Sequence, residues 1–310
     1  MIAAPDPAPE NYAMATPSYH GDLERCRLLC GSIDRHVSGL SVHYILVDTA
    51  DAELFAALEG PKRRIMTDAQ LLPSWLRGHD DPFSRNSRRL WTGAGALLRG
   101  IPPLRGWHVQ QLRKLALPDV ITEDVILYAD SDVAFLRPYD LARQRVDHKD
   151  MARKTRLYRK PGGIMPGMPH VAWARTAARS LGIKAPELPA HDYITALVTW
   201  RRDNAVGLLR HLEKQSGHHW IAAVAKRRGF SEWLLYGMYC DMVLGNASGH
   251  VHDEHSLAYM VWFGKDVPEQ GLGDVRLLLK PDQVAIGIQS FIGFPVDDIR
   301  RYLAMGNDAP

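Results

Sequence analysis

Apolar and polar positions along this chain switch between two periods. Residues 12–16 form a short apolar run broken at Pro17, and 21–37 then place Leu23, Cys26, Cys30 and Ile33 at the three-and-four spacing of a helix face. A second apolar run, 42–47, ends at Asp48, a short helix is expected over 52–58, and 64–67 reads as a third strand. Short apolar runs separated by helical patterns predict a parallel sheet buried on both faces. Residues 107–117 predict a helix with Val109, Leu112, Leu115 and Ala116 inward, and with Gln110, Gln111 and Lys114 on the other side. The run 125–129 predicts another buried strand. Later come a strand over 193–200, helices over 204–214 and 221–226, and a helix over 232–244 capped by Ser231 and ended by Gly245. A strand at 284–288 and a closing helix over 295–303 complete the pattern.

Two stretches fit neither period. Residues 73–104, with Pro73, Pro82, Pro102 and Pro103, are long for a structureless connection, and such loops are usually functional or mobile. Residues 142–160 are strongly basic and admit two readings, a solvated segment or an anion-binding one. No Gly-x-Gly-x-x-Gly follows the first strand, which argues against a dinucleotide fingerprint.

Composition narrows the classes. The chain is 46% hydrophobic and 24% charged, ordinary for a soluble globular protein, and its 38 basic against 35 acidic residues leave only +3. No global field therefore points to nucleic acid. Three cysteines do not make a disulfide framework, and Cys26 and Cys30, four apart, read as small buried apolar residues. Residues 1–10, rich in Pro and Ala without a basic start, are expected to be a disordered tail. Without an apolar run of about 18 residues no membrane span is expected, and a reducing cytoplasm is the default compartment. Residues 11–310 are expected to form one domain, with a nucleotide-binding part over about 11–140 and an acceptor part over about 141–310. Oligomeric state is not encoded in any pattern here.

The chemistry concentrates at Asp130-Ser131-Asp132, directly after the run 125–129. Ligands of open α/β sheets bind beyond the carboxyl ends of the strands. Two carboxylates there, one residue apart, suit a hard divalent cation, Mn²⁺ or Mg²⁺, that in turn carries a diphosphate. The competing reading is a loop that simply favours aspartate.

Leu127-Tyr128-Ala129-Asp130-Ser131-Asp132-Val133-Ala134-Phe135-Leu136-Arg137-Pro138 resembles the Asp-x-Asp segment of GT-A-type glycosyltransferases, enzymes of nucleotide sugars. Three further stretches are similar to a bacterial GT-A-related domain family of unassigned function. They are Gly106-Trp107-His108-Val109-Gln110-Gln111-Leu112-Arg113-Lys114-Leu115, Phe230-Ser231-Glu232-Trp233-Leu234-Leu235-Tyr236-Gly237, and Ile288-Gln289-Ser290. The resemblance spans about residues 12 to 303. It implies an α/β GT-A fold, a mainly parallel Rossmann-like sheet flanked by helices, and metal-dependent transfer from a UDP- or GDP-linked sugar to a hydroxyl acceptor such as a bacterial glycan.

The resemblance also implies roles. Asp130 would face the ribose and the metal, with Ser131 beside the nucleotide, and Asp132 would be the principal ligand. Thr16, Pro17 and Tyr19 would lie along the nucleotide, and Asp48 would read the base. Gln111 and Lys114 would approach the donor, the lysine bringing a positive charge to the diphosphate. Glu232 would face the acceptor as general base, with Asp192 a second choice. An acid in a first helical turn also serves the dipole, for about 0.3–1 kcal/mol, without any catalysis. In His250-Val251-His252-Asp253-Glu254-His255 the resemblance implies a late third ligand, and His255 is preferred over His252. The His-x-x-Gly-x-x-Lys pattern of glycogenin-like enzymes is absent.

Two other readings stay open. Asp-x-Asp after a buried strand also opens the site of haloacid-dehalogenase-like phosphohydrolases, with Asp130 as nucleophile and Asp132 as acid. That family's motif sits near its first strand and puts Thr or Val where this chain has Ala134. The other is a GT-A-like domain that binds nucleotide or glycan without turnover.

Overall fold

In this computed structural model the described residues are 10–81, 89–147, 153–227, 229–262 and 275–304. The expected tail lies almost wholly outside them. Five strands build the central sheet: β1 (Tyr12–Pro17), β2 (Leu40–Val47), β3 (Arg63–Thr67), β4 (Val125–Ala129) and β5 (Leu197–Arg201). Their order is β5-β4-β1-β2-β3. The first four are mutually parallel, and β5 runs antiparallel along β4, pairing Leu197 with Ala129 and Arg201 with Val125. The chain moves outward from β1 through β2 to β3, then returns to place β4 on the other side of β1. The carboxyl ends of β1 and β4 thus flank a topological switch point, where open α/β sheets keep their ligands.

β4 is buried at every position, as its uninterrupted apolar run requires. The flanking helices are α1 (Leu23–His36), α2 (Gly106–Ala116), α3 (His170–Leu181), α4 (Arg202–Ser216) and α5 (Glu232–Met238). An aromatic cluster joins α5 to the sheet. Trp200 of β5 stacks on Tyr236 at 4.4 Å between ring centroids, and meets Trp233 at 5.4 Å and Tyr128 of β4 at 4.8 Å, both edge-on. Such contacts add about 0.5–1.5 kcal/mol each beyond area burial, so the start of α5 is held firmly against β4. Tyr128 also donates its hydroxyl to the Lys114 carbonyl of α2 at 2.7 Å. The two helices that carry Lys114 and Glu232 are therefore anchored on the strand that carries Asp130.

A smaller sheet extends the acidic turn. Val133–Phe135 pairs antiparallel with Ala285–Ile288, which runs parallel to Ala258–Val261.

Several expectations need revision. In the described parts of 73–104 the chain forms short antiparallel strands at Arg77–Asp80, Arg89–Thr92 and Leu104–Arg105 and a helix at Ala94–Leu98. Part of the basic stretch also pairs: Arg145–Asp147 runs antiparallel to Arg153–Tyr158, which continues onto His250–Asp253. The helix expected over 232–244 is α-helical only to Met238 and then widens into a π-turn over Tyr239–Leu244. A π-turn shifts the register of the side chains after it. Gly237 belongs to this packing, because a Cβ there would come within 2.3 Å of the Tyr193 ring. The mixed α/β architecture, a mainly parallel sheet flanked by helices, is as expected. No described helix is long and apolar enough to cross a membrane.

Candidate active site

Asp130 leaves the carboxyl end of β4 and enters a turn closed by the Val133 N–H donating to its carbonyl at 3.2 Å. The two acids of this turn meet different surroundings. Asp130 keeps 28% of its side chain exposed, whereas Asp132 is held inside by a distant segment. The Ile288 N–H donates to the Asp132 carbonyl at 3.0 Å, and the Ser290 N–H donates to Asp132 Oδ2 at 3.3 Å. Asp132 Oδ1 is buried and has no hydrogen-bond partner. A buried acceptor left unmatched is costly, about 1–3 kcal/mol, so it asks for an explanation. Ser131 donates to Asp22 Oδ2 at 3.4 Å, which brings a third carboxylate beside the pair. Burial, then the Asp130 and Asp22 charges, pushes the Asp132 carboxyl up to about 7. Asp22 is raised too, chiefly by burial and against the pull of Arg25. Arg25 donates to the Ile288 and Phe294 carbonyls at 3.3 and 2.8 Å, tying α1 to the segment that holds Asp132.

Behind Asp130 lies Lys114. Its ammonium donates to Asp130 Oδ1 at 3.0 Å and to Glu232 Oε1 at 2.9 Å, and it sits 4.1 Å from the centre of the Trp233 ring. Burial favours the neutral amine, but Asp130 and then Glu232 outweigh it and hold the Lys114 pKa above its ordinary value. Burial raises the Glu232 carboxyl, opposed by Lys114. Gln111 completes the group: its side-chain oxygen accepts the Glu232 N–H at 3.2 Å and its amide donates to the Trp107 carbonyl at 3.3 Å. The structure thus brings together Gln111, Lys114, Asp130, Ser131, Asp132 and Glu232. In this arrangement Glu232 is spent on Lys114 rather than presented to solvent.

The remaining expected residues lie elsewhere or face other partners. Thr16 is fully buried, its hydroxyl 2.9 Å from His43 Nε2, so it points into the sheet rather than along a ligand. Pro17 ends β1 and is buried, while Tyr19, two residues on, is about half exposed. Asp48 accepts from the Ala50 N–H at 3.1 Å and pairs with Arg89, so both its oxygens are engaged within the protein. Asp192 is fully buried with Oδ2 2.9 Å from His170 Nδ1. The clustered histidines disperse. His250 is buried between the Tyr236 hydroxyl at 2.7 Å and the Thr155 carbonyl at 2.9 Å, and burial lowers its imidazole to about 4. His252 contacts Asp241 at 2.7 Å, and His255 turns back on Asp253 at 2.9 Å. His255 does not join Asp130 and Asp132, for a tight local turn claims its ring first.

Sequence reasoning missed Asp22, Arg25 and the His170 ring. Asp22 stands just before a helix, where an acid commonly serves the dipole, and only the turn after β4 shows what it adjoins. No described group of three or more His, Cys, Asp or Glu side chains is arranged to hold a metal ion. The donors are nonetheless of the oxygen type a hard divalent cation takes: one buried unpartnered carboxylate oxygen lies in the same turn as the partly exposed Asp130 carboxylate.

A family model described as a family of unknown function, DUF6492, matches residues 13–263. The chain belongs to that family. No curated protein matches it.

Proposed function

We propose that this DUF6492 chain is a metal-dependent glycosyltransferase that takes a UDP- or GDP-linked sugar and delivers the sugar to a hydroxyl acceptor, a bacterial glycan by resemblance. The observation that carries the reading is the buried, unmatched Asp132 Oδ1 beside the half-open Asp130 carboxylate, beyond a central parallel strand at the sheet's switch point. The strand order, with the antiparallel β5 beside β4 and the acids between β4 and a second small sheet, supports a GT-A arrangement.

In this reading Asp130 and Asp132 hold Mn²⁺ or Mg²⁺. Held there, the ion would supply Lewis-acid neutralisation of a departing nucleoside diphosphate. The chain's own groups do the rest. Lys114 keeps its positive charge at the buried side of Asp130 and donates to Oδ1, so the acid stays aimed. Glu232 retains that lysine and Gln111 retains Glu232, so three side chains preorganise one carboxylate. Tyr19, exposed after β1, remains free to cover a nucleotide.

Calorimetry of UDP and GDP binding with and without Mn²⁺ tests the reading. Wild-type protein should bind one of them only with the metal, and Asp132→Ala should weaken that binding by about hundredfold or more, roughly 3 kcal/mol. A urea unfolding midpoint confirms that the variant is folded. Unchanged affinity in folded Asp132→Ala, or an aspartyl-phosphate trapped at Asp130, would sink the assignment.

A further inference from the structure

Beyond Glu232 the protein presents a built surface that donor chemistry does not use. Trp107, in the first turn of α2, is 47% exposed, yet its ring is held in place. It lies 5.7 Å from Trp173 with the planes 38° apart, and Trp173 stacks on His170 at 4.9 Å and 19°. On its other side Trp107 meets His108 edge-on at 5.2 Å. The array is continuous with the acid site, because Gln111 bonds both the Trp107 carbonyl and the Glu232 N–H. Trp173 also packs beside Gly229, three residues before Glu232.

His170 is oriented from behind. Asp192 is fully buried, with one oxygen 2.9 Å from His170 Nδ1 and the other accepting the Ile194 N–H at 3.1 Å. A carboxylate oxygen 2.9 Å from Nδ1 accepts the proton carried on that nitrogen, so in the neutral ring Nε2 is left as an acceptor. A rigid, exposed indole face beside an imidazole acceptor fits a ligand with a C–H face and a rim of hydroxyl donors. An apolar peptide has no donor for that nitrogen. An anion would meet an imidazole already committed to a carboxylate.

We infer that Trp107, Trp173 and His170 form a saccharide subsite, in which a sugar ring lies on the Trp107 face and one hydroxyl donates to His170 Nε2. Asp192 is a positioning residue for that imidazole. That the bound saccharide is the acceptor rests on the glycosyltransferase reading; the binding itself does not.

The test uses the full chain with Mn²⁺ and UDP. The probes are the methyl glycosides of glucose, galactose, mannose, N-acetylglucosamine and rhamnose, followed by tryptophan fluorescence and saturation-transfer NMR. At least one probe should bind, with its ring C–H protons the most strongly saturated. Trp107→Ala should weaken that probe about tenfold while UDP affinity stays unchanged, and His170→Phe, which keeps the stack, should give a smaller loss. Nitrogen-15 spectra should show the neutral His170 proton on Nδ1, and Asp192→Asn should move it to Nε2. The subsite is overturned if no glycoside binds, if Trp107→Ala binds the probe as wild type does, or if the wild-type proton sits on Nε2. A drop in UDP affinity in Trp107→Ala overturns it as well, since the indole would then stack on the base. Saccharide binding without any UDP or GDP binding upholds the subsite and refutes only the donor reading.

Discussion

Arg113 and Lys114 are neighbours on α2, both are buried, and they lead to opposite arrangements. Arg113 donates to both oxygens of Asp68 at 2.5 and 3.1 Å, Trp91 donates to Asp68 Oδ2 at 2.6 Å, and the guanidinium lies 5.6 Å from the Trp91 ring centre. That pair is closed: its side chains are 5% and 6% exposed. Lys114 instead serves two carboxylates, one of them reaching solvent, and the neighbouring Asp132 keeps an unmatched oxygen. The first pair uses up its own hydrogen-bonding capacity, whereas beside the second one buried acceptor is left to be explained. A step of one residue along a helix turns the side chain by about 100°, which is how one segment supplies both.

Four perturbations separate the two arrangements. Arg113→Ala strands a buried Asp68 and should lower the unfolding free energy by about 3–5 kcal/mol, with nucleotide affinity per folded molecule unchanged; urea unfolding beside calorimetry reads both. Lys114→Met should cost about 3 kcal/mol, since Asp130 and Glu232 lose their counter-charge. Adding Glu232→Gln should recover most of that stability yet leave Mn²⁺-dependent nucleotide binding weak. If binding returns together with stability, Lys114 is no more functional than Arg113.

The third perturbation is pH. A carboxyl raised to about 7 in the fold is still protonated where its unfolded counterpart is already ionised. The folded state therefore binds more protons through that window, and stability falls as pH rises from about 4 to 7. Between about pH 5 and pH 8 wild type should lose about 2 kcal/mol that Asp132→Asn retains, read from urea midpoints at both values. The smallest effect is a surface reference. Lys184 and Glu187 pair at 3.2 Å while 86% and 88% exposed, so Lys184→Ala should shift stability by less than about 0.5 kcal/mol.

The parts of this molecule legible in its sequence are those dictated by local periodicity. The apolar runs at β1, β2 and β4, bounded by Pro17, Asp48 and Asp130, read as short buried strands, and the α2 pattern separates Leu112 and Leu115 from Lys114. Asp130 and Asp132 stand out because a strand must end somewhere and acids end this one. What stayed hidden depends on distant partners or on small residues. Helix α3 buries Ala174, Ala177 and Ala178, which mark no hydrophobic stripe as leucines would. The strand expected from residue 193 enters the sheet ladder only at Leu197, because Asp192 and Tyr193 are drawn to His170 and Asp241. Nothing near Asp132 in the chain announces Ile288 or Ser290, and no spacing rule reveals that Thr16 faces His43.

The stitching of the acidic turn to Ser290, 158 residues downstream, sets an order of events during biosynthesis. A nascent polypeptide that has exposed the acidic turn already carries both acids, but the Ser290 amide leaves the ribosome only 158 residues after Asp132. Until then the aspartates stay in open water, where no cage holds them. Contacts of such long range form late, so the acidic rim is a finishing step of folding rather than its nucleus. Clipping the protein shortly before residue 288 should leave the central sheet assembled and its rim unfinished.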